Sequence, residues 1–232
     1  MIEGTPAAPV EIEPPESSQP PYGRLFLLLL IWTFVAGLMQ SVGGSMTFTV
    51  GFLAIALVYT FSISRASKIL LWAAVGFGIV GLIAALTLGG ADTPDKYSTV
   101  PSLFGMVFSA AIPVMILRRI GTTFTINRNV IAGALAIFLA IGTFFSYAVF
   151  AIQSWSGHYF ADGLVHPFRD AVYFSYITIT TTGYGDLAPD TPLGRLTAVF
   201  EALIGQIYLV TVVALVVGNL GRQAERVGRS IK

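Results

Sequence analysis

Residues 180–186 read Thr180-Thr181-Thr182-Gly183-Tyr184-Gly185-Asp186, and they lie between two strongly hydrophobic segments. Glycine enters the left-handed region of backbone space at little steric cost, so Gly183 and Gly185 allow a backbone in which alternate residues are left-handed. Such a backbone can turn successive carbonyl oxygens to one side, and Thr181 adds a hydroxyl oxygen at one end. The stretch therefore predicts an irregular backbone with a row of oxygen atoms along one side.

The composition predicts an integral membrane protein. Of the 232 residues, 55% are hydrophobic and only 11% are charged, whereas a soluble domain carries about 25% charged residues. A membrane-spanning helix needs about 20 mostly apolar residues. Six runs satisfy this requirement, at residues 24–42, 46–63, 67–89, 100–118, 130–151 and 194–219.

A seventh apolar run, at residues 168–180, is too short to cross a bilayer. Irregular backbone is tolerated at membrane depth only where protein or a water-filled cavity surrounds it, so this run and the segment after it fit a re-entrant helix and loop. The predicted fold class is an all-α membrane protein. It has six transmembrane helices, with the re-entrant helix and the oxygen-rich segment between helices five and six.

The same region resembles the pore of potassium channels, over about residues 130–221. The likeness is carried by the pore helix, the selectivity filter, the filter exit and the start of the inner helix, at residues 168–180, 180–186, 186–189 and 194–195. The resemblance implies that K⁺ binds the carbonyls of Thr181, Thr182, Gly183 and Tyr184 and the Thr181 hydroxyl, with Gly185 completing the filter. Because one chain holds one filter strand, it also implies a homotetramer.

Two positions depart from the usual pattern of the family. Most members have Val where this chain has Thr182, whose side chain is expected to point into the filter wall. The frequent buried Glu of the pore helix is replaced by Ile177. The resemblance still implies a supporting hydrogen bond behind the filter, between Tyr173 of the pore helix and Asp186.

The predicted inner helix contains Glu201, an acid well inside an apolar run. Such residues are costly in a membrane and mark functional sites, so Glu201 either supports the filter from behind the pore helix, which we favour, or binds ions directly. The resemblance implies that Gly205 is a gating hinge, although close helix contact is an alternative. It also implies a central cavity lined by Gln206, Leu209 and Val213.

The Lys and Arg residues of short loops predict the orientation. The second and fourth loops and the C-terminal tail are basic, whereas the first loop is uncharged and the third contains two acids. This alternation predicts a multi-pass protein of the cell membrane with both termini in the cytoplasm. The fourth run has no charge before Arg118 and Arg119 at its end, so it lacks the regularly spaced arginines of a voltage sensor.

Four regions follow from these patterns. Residues 1–23 form a Pro-rich acidic tail that is expected to be disordered, residues 24–119 a four-helix region without sensor charges, residues 130–221 the pore domain, and residues 222–232 a short basic tail. The Pro-rich tail is a candidate docking segment for a partner. His158 and His166, in the outer loop, are expected to be exposed.

The predicted function is passive conduction of K⁺ through a homotetramer in the lipid bilayer. The protein is then not an enzyme, and no cofactor, catalytic residue or nucleic-acid partner is implied. Three alternatives stay open. They are a weakly selective cation channel, suggested by Thr182, a non-conducting auxiliary or scaffold subunit, and a subunit of a potassium-coupled transporter.

Overall fold

The computed structural model describes residues 22–39, 46–63, 68–88, 98–120 and 128–230. Within these ranges the chain is helical, and its only β contact is an isolated bridge between Phe160 and Pro189. The helices are α1 (Tyr22–Met39), α2 (Met46–Ile63), α3 (Lys68–Leu88), α4 (Thr99–Ile120), α5 (Arg128–Ser156), α6 (Phe168–Ile179) and α7 (Pro192–Ser230). The six long apolar runs correspond to α1–α5 and α7, and the short run corresponds to α6.

Among the described residues, four helices are long and apolar enough to cross a membrane. Their spans are Lys68–Thr87, Thr99–Arg118, Asn129–Ser156 and Pro192–Leu215. The apolar parts of α1 and α2 are shorter, at Tyr22–Leu38 and Phe48–Ile63. The protein is therefore an all-helical membrane protein.

Helix α5 is the centre of the fold, and it contacts α1, α4, α6 and α7. About two thirds of its span is buried (67%), compared with 11% of the α7 span. The buried ring of Tyr147 on α5 packs against Trp32 of α1 and Phe168 of α6, with ring centroids 6.3 and 4.6 Å apart. Helix α5 thus holds α1 and α6 in place, while α7 keeps a large apolar face uncovered in the single chain.

Candidate functional site

Residues 180–186, called the filter segment below, follow α6 and are held by hydrogen bonds to the last turn of that helix. Thr180 caps the helix, and its backbone N–H donates to the carbonyl of Tyr176 at 3.2 Å. The N–H groups of Thr182 and Gly183 both donate to the carbonyl of Ile177, at 2.8 and 3.0 Å. The filter segment therefore begins at the C-terminal end of α6, where the partial negative charge of the helix dipole favours a cation.

Alternate residues of the filter segment have left-handed backbone conformations. The φ angles of Gly183 and Gly185 are 51° and 80°, in the region that these glycines were predicted to allow. Thr181 also has a positive φ, of 59°, and it is the only non-glycine residue in the described chain that does. A β-branched residue in this region is strained by about 1–3 kcal/mol and is found mainly at functional sites.

The carbonyl oxygens of residues 181–184 accept no hydrogen bond from the described part of the chain. In folded proteins more than about 90% of buried backbone groups are paired, so these carbonyls would need a partner wherever they are removed from water. These residues are exposed in the single chain, and Tyr184 has 72% of its surface accessible. The segment thus offers a row of unpaired oxygens at a surface that a further chain or an ion can reach.

Two side-chain hydrogen bonds fix the ends of the filter segment. Tyr173 Oη donates to Asp186 Oδ2 at 2.8 Å, so the bond that the resemblance implied is present. Thr180 Oγ1 lies 2.6 Å from the carbonyl of Tyr176 and 3.0 Å from Thr182 Oγ1. Thr182 therefore turns its hydroxyl back toward the end of α6, as a side chain in the filter wall would.

Glu201 lies fully buried between α7 and α6. Ser175 of α6 is beside its carboxyl group, but neither Ser175 Oγ nor the two carboxyl oxygens have a hydrogen-bond partner among the described residues. Adding further chains can only cover more surface, so a side chain that is buried in one chain cannot face a cavity between chains. The position favours the supporting role of Glu201 over direct ion binding.

Gly205 is the point where α7 crosses the C-terminal end of α6. A Cβ atom at this position would overlap Ile179 Cγ1 and would lie 2.7 Å from the carbonyl oxygen of Ile179. Helix α7 is continuous through Gly205. The geometry therefore gives this glycine a packing role next to the filter, and its role as a hinge stays a prediction.

The three residues predicted to line a cavity follow on α7. Gln206 and Val213 are exposed in the single chain, and Leu209 is half-buried. Their exposure leaves them free to face a space enclosed by several chains. The cavity itself stays a prediction.

The outer loop between α5 and α6 is clamped to the filter exit, a connection that the sequence did not reveal. Asp190 N–H donates to the carbonyl of Tyr159 at 3.0 Å, and Ala161 N–H donates to the carbonyl of Ala188 at 2.9 Å. The hydroxyl of Tyr159 then donates to the carbonyl of Gly194 at 2.9 Å. Only pairing between distant segments creates this clamp, so no local motif predicts it.

His166 lies between two carboxylates, and the expectation that it would be an exposed loop residue is wrong. Its Nε2 lies 2.8 Å from Asp162 Oδ2, its Nδ1 lies 2.9 Å from Asp170 Oδ2, and only 14% of its side chain is accessible. Arg169 Nε contacts the other oxygen of Asp170 at 3.3 Å. Burial lowers the pKa of His166, but the hydrogen bonds to Asp170 and Asp162 outweigh it, so the pKa lies above the ordinary value of 6.5.

We expect His166 to stabilise the outer loop in a pH-dependent way. Both ring nitrogens donate only when the imidazole is protonated, and the folded protein holds that proton more tightly than the unfolded chain. The stabilisation is therefore complete below the unfolded pKa of about 6.5 and is lost as the pH rises through the higher folded value. The melting temperature of the wild type should exceed that of His166→Gln at pH 6, and the difference should shrink by pH 9.

His158→Gln is the matched control, because the His158 side chain makes no hydrogen bond within the described residues. It should change the melting temperature little at either pH. A wild-type advantage over His166→Gln that stayed constant from pH 6 to pH 9 would contradict the role of the protonated ring.

Comparison with known proteins identifies this region. The sequence profile of a family described as ion channel matches residues 133–222, which include α6, the filter segment and most of α5 and α7. This part of the chain is therefore similar in sequence to ion channels. The family match and the relatives below support a pore of the potassium channel type in this part of the chain.

Three relatives illustrate the likeness. Two-pore potassium channel 5 of Arabidopsis thaliana is 40% identical over 70 residues, which are 30% of this chain and 17% of the relative. A hyperpolarization-activated voltage-gated potassium channel of Methanocaldococcus jannaschii is 49% identical over 39 residues, 17% of this chain and 19% of the relative. Human potassium channel subfamily K member 5 is 40% identical over 60 residues, 26% of this chain and 12% of the relative. The matches thus span less than a fifth of these relatives.

Proposed function

We propose that the chain forms a potassium-selective channel that conducts K⁺ passively across the membrane. The observation that carries the proposal is the run of unpaired carbonyls at residues 181–184, beside left-handed Thr181, Gly183 and Gly185. Carbonyl oxygens in this arrangement replace the hydration shell of a dehydrated cation. The Thr181 hydroxyl completes the innermost site, and the Tyr173–Asp186 bond stabilises the outer end.

The exposed surface of α7 supports a homotetramer. One chain supplies one filter strand, so four strands are needed to surround an ion. Helix α7 also leaves a row of large apolar side chains more than half exposed, at Leu193, Leu196, Val199, Phe200, Leu203, Ile207, Val210, Val213 and Leu215. Neighbouring subunits, the cavity and lipid together would account for this surface.

The proposed channel is a multi-pass protein of the cell membrane with both termini in the cytoplasm. Helices α1 and α2 each contain 18 residues, which correspond to about 27 Å of helix, close to the hydrocarbon thickness of about 30 Å. With these two helices the chain crosses the membrane six times, while α6 enters from the outer side and the segment after it returns to that side. The basic second and fourth loops then lie in the cytoplasm, as the charge bias of short loops requires.

We expect the purified protein in a planar bilayer to pass K⁺ far better than Na⁺, by at least about tenfold in permeability, because the carbonyl row is intact. Bi-ionic reversal potentials measure this ratio directly. Thr182→Val should keep the selectivity, because the Thr182 hydroxyl is turned toward Thr180.

Chemical crosslinking in mild detergent should end at a tetramer.

Each other result favours a different function. Equal permeabilities for K⁺ and Na⁺ would identify a weakly selective cation channel. Tetramers without current would favour an auxiliary or scaffold subunit. A dimer as the largest crosslinked species would contradict the argument from one filter strand per chain.

A further inference from the structure

The hydroxyl of Tyr176 connects three helices behind the filter. It donates to the carbonyl of Leu139 on α5 at 2.9 Å. It also lies 3.1 Å from Thr33 Oγ1 on α1 and 3.2 Å from Thr143 Oγ1 on α5. Thr33 and Tyr176 are 143 positions apart in the sequence, so this cluster is a tertiary contact between the four-helix region and the pore helix.

Each hydroxyl in the cluster has one proton. When Tyr176 donates its proton to the Leu139 carbonyl, a threonine hydroxyl that bonds to Tyr176 must be the donor. Thr33 Oγ1 is also 3.0 Å from the carbonyl of Leu29, and Thr143 Oγ1 is 2.9 Å from that of Leu139. Each threonine hydroxyl therefore has two possible partners, a carbonyl of its own helix and the hydroxyl of Tyr176. Only the bond to Tyr176 joins two helices.

The ring of Tyr176 is confined as well as hydrogen-bonded. A Cβ atom at Gly142 of α5 would lie 3.0 Å from its Cε1 and 3.1 Å from its Cζ. The absent side chain at Gly142 thus creates the slot in which the ring lies. The position of the pore helix relative to α5 and α1 is set by this slot and by the hydroxyl cluster at its end.

The backbone of the same residue leads to the filter. The carbonyl of Tyr176 accepts the N–H of Thr180 at 3.2 Å and the Thr180 hydroxyl at 2.6 Å. Because the proton of Thr180 is used there, Thr182 donates to Thr180 Oγ1, at 3.0 Å. Tyr176 therefore links Thr33 on α1, through its hydroxyl, to Thr180 and Thr182, through its backbone carbonyl.

We propose that Tyr176 is a positioning residue for the filter and that Thr33 connects α1 to it. This inference rests on the proposed function and gives the four-helix region a role in it. The first helix holds the pore helix at the depth and angle at which the filter stays open and selective. Losing the bond from α1 allows the end of α6 to shift, and the filter shifts with it through Thr180 and Thr182.

The test compares Thr33→Val, Thr33→Ser, Tyr176→Phe and the double variant Thr33→Val/Tyr176→Phe in single-channel recordings. We expect Thr33→Val to shorten the mean open time roughly three- to fifteen-fold, which corresponds to one intramembrane hydrogen bond, and to lower the K⁺/Na⁺ permeability ratio. Thr33→Ser keeps the hydroxyl and should restore both values. The double variant should be no worse than Tyr176→Phe alone, because both changes break the same link.

Tyr208→Phe is the matched control. Tyr208 Oη also donates to an α5 carbonyl, that of Ala134, at 2.5 Å, but it does so from α7. An effect of Tyr208→Phe on the permeability ratio as large as that of Tyr176→Phe would overturn the inference. So would wild-type behaviour of Thr33→Val, or additive effects in the double variant.

These outcomes are distinguishable from a failure of the proposed function. Absence of current from the wild-type tetramer would remove both proposals. A selective wild-type channel whose Thr33→Val variant is unchanged would remove only this inference. If Tyr176→Phe does not assemble, the comparison of Thr33→Val with Thr33→Ser decides the question alone.

Discussion

Gly205→Ala is expected to abolish the K⁺ current of the proposed channel and to weaken the proposed tetramer. The new methyl group would overlap Ile179 Cγ1 and would lie 2.7 Å from a backbone oxygen that no rotamer change can move. Ile179 is the last residue of α6, directly before Thr180 and the filter. Helix α7 must therefore move away or the filter must shift, at a cost of about 1–3 kcal/mol per chain for an overpacked site.

The measurements are the melting temperature of the tetramer and the single-channel current. Gly76→Ala is the matched control, because Gly76 is also a helical glycine in a membrane span but a Cβ atom there meets nothing within 4 Å. It should leave both quantities near the wild-type values. A Gly205→Ala channel with normal stability and slowed opening would show instead that Gly205 acts mainly as a hinge.

Glu201→Val is expected to shorten channel openings by about tenfold or to destabilise the tetramer, whereas Glu201→Gln should leave the unitary conductance close to normal. Glu201 is fully buried against α6, beside Ser175. Gln keeps the size and polarity of the side chain beside Ser175. Val places an apolar side chain next to the buried Ser175 hydroxyl and leaves a small cavity, at a cost of about 1–3 kcal/mol per chain.

Unitary conductance measured against K⁺ concentration separates this support from a direct role. A carboxylate that faced the cavity would concentrate cations, so Glu201→Gln would reduce conductance strongly at low K⁺ and less at high K⁺. Such a salt-dependent loss would contradict the buried position. Thr197→Val is a suitable control, since Thr197 is a half-buried polar residue of the same helix whose hydroxyl donates to the Leu193 carbonyl of that helix.

The helices were predictable because long apolar runs end at polar loops. The second run matches α2 at both ends, at residues 46 and 63. The end of α5 was predicted at residue 151 but lies at Ser156, because Gln153 and Ser154 are polar yet buried and hydrogen-bonded. The backbone of α7 likewise continues to Ser230, beyond the predicted residue 219, since a helix can leave an apolar layer without ending.

The filter segment was recognisable because its chemistry is local. Two glycines at alternate positions allow left-handed backbone conformations. Asp186 follows Tyr173 by only 13 residues, so their hydrogen bond is close in the sequence. The positive φ of Thr181 was not predictable, since threonine disfavours it and only the surrounding fold imposes it. The link from Tyr176 to Thr33 and the clamp at Tyr159 join distant segments, so no local pattern encodes them.

The arrangement of one filter strand per chain also has a genetic consequence. In the proposed tetramer, a cell that makes one form of the chain has every filter substitution four times around the same axis. A cell that makes equal amounts of a normal and a filter-defective chain would assemble only about one tetramer in sixteen entirely from normal chains, if the chains mix at random. A defective allele of this protein would therefore act dominantly.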